Sequence, residues 1–101
     1  MSVVMVLRLK ANPRALEEFA TGNPGVMDGI AEAGKALGCV RHTFAANGDD
    51  EIVVVDEWAD EDAFHKFFES QPDVHRLMEA AGAQAPPEVA FYRRIETPGQ
   101  F

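Results

Sequence analysis

Residues 53–68 read VVVDEWADEDAFHKFF, a stretch that holds five acids, the chain's single tryptophan, a histidine and three phenylalanines. Outside it lie His42, His75 and the lone Cys39. Imidazole exchanges protons near neutral pH, so the three histidines are the first candidates for acid–base chemistry. His42 alternates with Val40 and Phe44, which directs it into apolar surroundings where a neutral imidazole is favoured and can act as a base. His65 has Glu61 and Glu69 one helical turn away on either side, a spacing that predicts a surface ion-pair ladder. That E-x-x-x-H-x-x-x-E set lacks a second histidine, and the H-E-x-x-H zinc-protease spacing is absent, so no metal is expected. His75, beside Arg76, is expected to be solvated. Cys39 has no partner for a disulfide or a thiolate zinc site, which fits a reducing compartment and predicts a cytoplasmic protein.

These groups must be positioned by a small chain. At 101 residues and 47% hydrophobic content, a single domain over residues 1–101 is expected. The formal net charge of −8 has no Lys/Arg cluster to offset it, which argues against nucleic acid and anionic membranes as partners. The opening MSVVMVLRLK is apolar for only about seven residues, far short of the roughly 20 that span a bilayer, and carries neither a basic leader nor a small-residue cleavage site.

The β-branched run at residues 3–10 predicts a first strand. Asn12-Pro13 then pairs an N-cap with a proline at the first helical position, and Asn23-Pro24 repeats that signal, giving a broken helical crossover that stops near Gly38. Residues 39–46 alternate, with Val40, His42, Phe44 and Ala46 on one side and Cys39, Arg41, Thr43 and Ala45 on the other. Asn47-Gly48 predicts a hairpin. A third strand at residues 51–58 is apolar at both parities. Helix signals follow at Asp60 and Pro72 and end at Gly82, and residues 89–95 alternate as a last strand. The order β-α-β-β-α-β is α+β and ferredoxin-like, with a four-stranded antiparallel sheet covered by helices on one face. Apolar residues of strands one and three on the other face predict a homodimer packed sheet to sheet.

Against that frame most of residues 53–68 acquire structural roles. Asp60 is expected to cap a helix, with Glu61 and Asp62 at the positive end of its dipole. Asp56 and Glu57, on opposite faces of a strand, are expected at a solvated strand end, the alternative being that one of them points into a cavity. Ala63, Phe64, Phe67 and Phe68 form one stripe that packs onto the sheet or walls an aromatic pocket. A tight Asn-Gly turn implies an even loop, which would put His42 with Val53, Val55 and Glu57, and Trp58 with Arg41 and Thr43 on the opposite face. One residue of slip would reverse this.

The run VVVDEWADEDAF at residues 53–64, after an Asn-Gly hairpin and before a second short helix and a last strand, resembles the antibiotic biosynthesis monooxygenase (ABM) family of dimeric α+β barrels. The resemblance spans essentially the whole chain. It implies a homodimer and a cofactor-independent monooxygenase that oxidises a small aromatic or quinol substrate with O2. A deprotonated dihydroxy-aromatic can reduce oxygen itself, so the protein supplies a dry pocket, a proton acceptor and donors for the developing oxyanion. By residue type and parity, His42 is the acceptor, and Trp58, Tyr92 and Arg41 or Arg94 are donors. Phe44, Phe64, Phe67 and Phe68 would line the substrate pocket. Alternatives are a non-catalytic small-molecule binding or carrier dimer, a stress-related protein without activity, and a haem-degrading enzyme. The last departs from its pattern, with Met5-Val6-Leu7 where such members have an asparagine, Phe67 for a tryptophan and Arg76 for the iron-binding histidine.

Overall fold

The computed structural model describes residues 2–101. Strand β1 (Val3–Lys10) leads through helices α1 (Pro13–Gly22) and α2 (Pro24–Ala36) to the hairpin β2 (Cys39–Asn47) and β3 (Glu51–Trp58). Helices α3 (Glu61–Ser70) and α4 (Pro72–Ala80) then return the chain to β4 (Glu88–Arg93). The last strand stops two residues before its expected end, and Ile95 is exposed beyond it. The strands form one antiparallel sheet in the order β2-β3-β1-β4, as the ferredoxin-like expectation requires.

Local chemistry explains the helix boundaries. Asn12 Oδ1 accepts the Arg14 and Ala15 N–H groups at 2.9 and 3.2 Å, and Asp60 Oδ1 accepts that of Ala63 at 2.8 Å. Each cap satisfies donors that the first helical turn leaves without a carbonyl partner. Asn23 differs from its sequence expectation: its side chain donates back to the Phe19 carbonyl and does not cap α2, which starts on Pro24 alone.

One face of the sheet carries the core. Met5, Leu7 and Leu9 from β1 and Ile52 and Trp58 from β3 pack under Leu16, Ile30, Phe64, Phe67 and Leu77 from the helices. Burying each phenylalanine contributes about 1.5–3 kcal/mol. The opposite parity presents Val4, Val6, Val53, Val55 and Tyr92 on a face with no helix over it. Among the described residues, no helix is long and apolar enough to cross a membrane.

Two details of the hairpin overturn the expected pairing of side chains. Asn47 pairs with Glu51, so the loop is residues 48–50, an odd number. The two-residue turn expected from Asn-Gly needs positive φ at both central positions. No non-glycine residue adopts positive φ among the described residues; only Gly48 does in this loop, at 63°. Asp50 stays in the loop, and its carbonyl accepts the Ala11 N–H at 3.1 Å. The odd loop places His42 opposite Asp56 and on the same face as Trp58, reversing the sequence expectation. A register shift between Cys39 and Arg41 then leaves Val40 unpaired as a bulge, so Cys39, opposite Trp58, joins the His42 face as well.

Candidate active site

The helix-covered face of β1 and β3, the edge strand β2 and the inner sides of the four helices line a cavity of about 150 Å³. It opens to solvent along β2, where His42 and Phe44 are exposed rather than set in the apolar surroundings expected for His42. Its walls are mainly apolar, with Phe44 on the sheet side and Phe64, Phe67 and Phe68 on the helix side. The helical stripe therefore does two jobs, since Phe64 and Phe67 are buried core residues and also bound the cavity. Trp58, only 1% exposed, lies with its ring centroid 5.1 Å from Phe67 and 5.7 Å from Phe64. The His42 ring meets Phe44 edge-on at 4.6 Å.

Three of the cavity's polar side chains form one connected group. Asp56 is 5% exposed and sits between His42 and Trp58 on the same sheet face. Its Oδ1 lies 2.6 Å from His42 Nδ1, and its Oδ2 accepts the Trp58 indole N–H at 3.0 Å. A buried carboxylate is tolerated when donors satisfy both oxygens, as here. Asp56 is the residue that sequence reasoning missed: it was expected at a solvated strand end. Its parity with Ile52, Val54 and Trp58 was the available signal, because an acid on an otherwise apolar strand face needs a partner there.

Cys39 also borders the cavity, its Sγ donating to the Arg41 carbonyl at 3.1 Å. Burial first, and the nearby Asp56 carboxylate second, push its thiol up to about 11, against an ordinary value of 9.0. The group is held as a thiol and is a poor nucleophile at neutral pH.

Of the other expected donors, Tyr92 and Arg94 lie off this cavity and Arg41 borders it while facing Glu57. Tyr92 stands opposite Val4 on the open face of the sheet and is 54% exposed, remote in parity from the cavity face. Arg41 borders the cavity at the bulge, but its Nε lies 3.7 Å from Glu57 Oε1. Arg94 Nη1 donates to Glu57 Oε2 at 3.3 Å. Glu57 points to the open face because β3 alternates, and there it also accepts the Ser2 hydroxyl. The Ser2 hydrogen bond and the two guanidinium groups hold its carboxyl below the usual range against a smaller opposing effect of burial.

The other histidines take no part. His65 has Phe64 and Phe91 as ring neighbours, both at 5.6 Å, and no ion pair to Glu61 or Glu69 forms. His75, exposed as expected, has Nε2 3.2 Å from the Phe68 carbonyl and its ring 4.8 Å from that of Phe68. Arg76, at the position where a haem-degrading relative would have its histidine, lies over the Phe19 ring at 5.5 Å.

No protein-family model and no curated protein matches the chain. Solved structures do. SnoaB, a cofactor-independent oxygenase from Streptomyces nogalater, superposes with a TM-score of 0.64 at 23% identity over 98% of each chain. A monooxygenase from the ActVA-Orf6 gene of Streptomyces coelicolor, in complex with nanaomycin D, gives 0.67 at 25% identity over 98% of this chain and 93% of that one. An antibiotic biosynthesis monooxygenase gives 0.63 at 13% identity over 93% of this chain and 99% of that one.

Proposed function

From a fold shared with the antibiotic biosynthesis monooxygenases, we propose that this chain is a cofactor-independent monooxygenase for a small hydroxylated aromatic or quinol, using O2. The observation that carries the reading is His42 at the wall of an otherwise apolar cavity, with one ring nitrogen on a buried carboxylate. Such a cavity favours a flat apolar ligand, whose ring would cover His42, 37% exposed at the cavity's β2 side, and shield it from water. A single base within it is sufficient for the first step.

His42 takes the proton of a substrate hydroxyl, and the resulting phenolate transfers one electron to O2. The superoxide and substrate radical combine at a ring carbon bearing hydrogen, forming a carbon–oxygen bond. The imidazolium returns its proton to the resulting peroxide anion, forming the hydroperoxide. The ring carbon then gives up its hydrogen as a proton while the O–O bond breaks, leaving a quinone carbonyl, and the departing hydroxide takes that proton and leaves as water. One oxygen atom enters the substrate, one becomes water, and the substrate supplies every electron. Proton transfer by a positioned group typically contributes about 10²–10⁴-fold to the rate.

The active form in this reading is a homodimer in which a second copy covers the open sheet face. Val4, Val6, Val53 and Val55 lie adjacent there, and Val55 is 39% exposed. Side chains of this type gain about 1.5–3 kcal/mol each on full burial.

Oxygen uptake by the purified protein with a panel of hydroquinones tests the activity. Uptake above the buffer rate is expected, and His42→Ala should lower it by about 10²–10⁴-fold. No uptake with any substrate would favour the alternative of a non-catalytic binding protein that uses the same cavity.

A further inference from the structure

We propose that Asp56 is a positioning residue: it holds His42 as the Nδ1–H tautomer and leaves the Nε2 lone pair free for a ligand in the cavity. The inference deepens the reading of this cavity as an oxygenase site and relies on it only for its kinetic consequence. The geometry is that of the His42–Asp56–Trp58 chain. Trp58 Nε1 can only donate, so its 3.0 Å contact makes Asp56 Oδ2 an acceptor. With the carboxyl ionised, both of its oxygens only accept, so the 2.6 Å contact of Oδ1 with His42 Nδ1 puts the hydrogen on Nδ1. A neutral imidazole has one N–H, so Nε2 is left unprotonated, and it has no hydrogen-bond partner among the described residues.

The arrangement also defines what Trp58 does. Its indole N–H is engaged by Asp56 and is not offered to substrate. It prevents the carboxylate from rotating, and with Asp56 5% and Trp58 1% exposed the bond between them is dry, whereas the His42 ring, 37% exposed, meets solvent on its outer side. An aspartate that orients a histidine in this manner acts through the imidazole and does not touch the reacting atoms.

An amide in place of the carboxylate would invert the pattern. In Asp56→Asn the side-chain oxygen must face the Trp58 N–H, so the NH₂ group faces His42. Nδ1 then has to accept, the ring proton moves to Nε2, and the base is lost to the cavity. Asp56→Glu keeps two acceptor oxygens and should retain the original tautomer if its longer side chain is accommodated.

The test is a two-bond ¹H–¹⁵N NMR spectrum of the imidazole side chains in the full chain, at a pH where imidazole is neutral, with His42→Ala providing the assignment. The expected result is an unprotonated, pyridine-like Nε2 and a protonated Nδ1 for His42 in the wild type, with the two shifts exchanged in Asp56→Asn. A wild-type spectrum with Nε2 protonated, or with shifts averaged between tautomers, overturns the proposal even if the variant does not fold. An unchanged pattern in folded Asp56→Asn does the same. The measurement needs no turnover, so a failure of oxygen uptake counts against the oxygenase reading alone. Where uptake is observed, Asp56→Asn should lower kcat by about 10²–10⁴-fold with KM little changed, and Asp56→Glu should recover part of it.

Discussion

Trp58 gives its indole N–H to Asp56 Oδ2 over 3.0 Å, between two residues that share one face of β3. Replacing the indole with Trp58→Phe leaves that buried oxygen without its donor. The expected cost is about 1–3 kcal/mol from the unsatisfied acceptor, together with some loss of packing against Phe64 and Phe67. Urea unfolding measures it, and a variant as stable as the wild type would show that the contact is not maintained in solution.

Gly34 sets the backbone of α2 beside the same indole. A methyl group there would meet Cys39 Cβ and Phe67 Cε1 at 3.6 Å and Trp58 Cη2 at 3.9 Å, ordinary contact distances. Gly34→Ala should therefore raise stability by up to about 1 kcal/mol through helix propensity. Because Gly34 also lines the cavity, the same change should weaken binding of bulky aromatics, read by quenching of the single tryptophan's fluorescence. Destabilisation, or undiminished affinity for the bulkiest ligand, would contradict this placement.

The Cys39 thiol, pushed up to about 11 from 9.0, has a defined pH signature. Below pH 9 both folded and unfolded chains hold the proton. Between pH 9 and 11 the unfolded chain releases it first, so the stability associated with this group falls as pH rises through that window. Cys39→Ser should lack that part of the alkaline loss in urea titrations. At pH 8 the native thiol should react with iodoacetamide on the order of a hundredfold more slowly than the thiol of the denatured chain; equal rates would show that it is neither buried nor near a negative charge.

Val55 is 39% exposed at the centre of the open sheet face, where it pairs across β3 and β1 with Val6. A second copy on this face would bury it, and Val55→Asp would then place an unpaired carboxylate in an apolar contact. Sedimentation at micromolar concentration should find the wild type dimeric and this variant monomeric, with the secondary structure of both unchanged. A monomeric wild type would remove the dimer.

Much of the fold was legible because it depends on local rules. The caps at Asn12 and Asp60, the prolines at the starts of α1, α2 and α4, and the alternation of β2 from Arg41 onward each act within one turn or a few strand positions. Sequence periodicity also identified the Phe64–Phe67–Phe68 stripe and the apolar character of both parities in β1 and β3. It marked Asp56 only by its parity with Ile52, Val54 and Trp58, and which partner an acid on that apolar face would find depended on the register of the neighbouring strand. Tyr92, Arg41 and Arg94 were selected by residue type, yet Tyr92 stands on the open sheet face and both guanidinium groups are engaged by Glu57 there.

By itself, then, the amino-acid sequence determined the element order, the helix starts and the four-stranded antiparallel sheet, since hydrophobic period and backbone chemistry are local properties. Tertiary structure alone decided that His42, Asp56 and Trp58 meet. That meeting rests on a three-residue hairpin loop and the Val40 bulge, and strand side chains alternate with a period of two. A one-residue change in either would move His42 or Cys39 to the opposite face of the sheet.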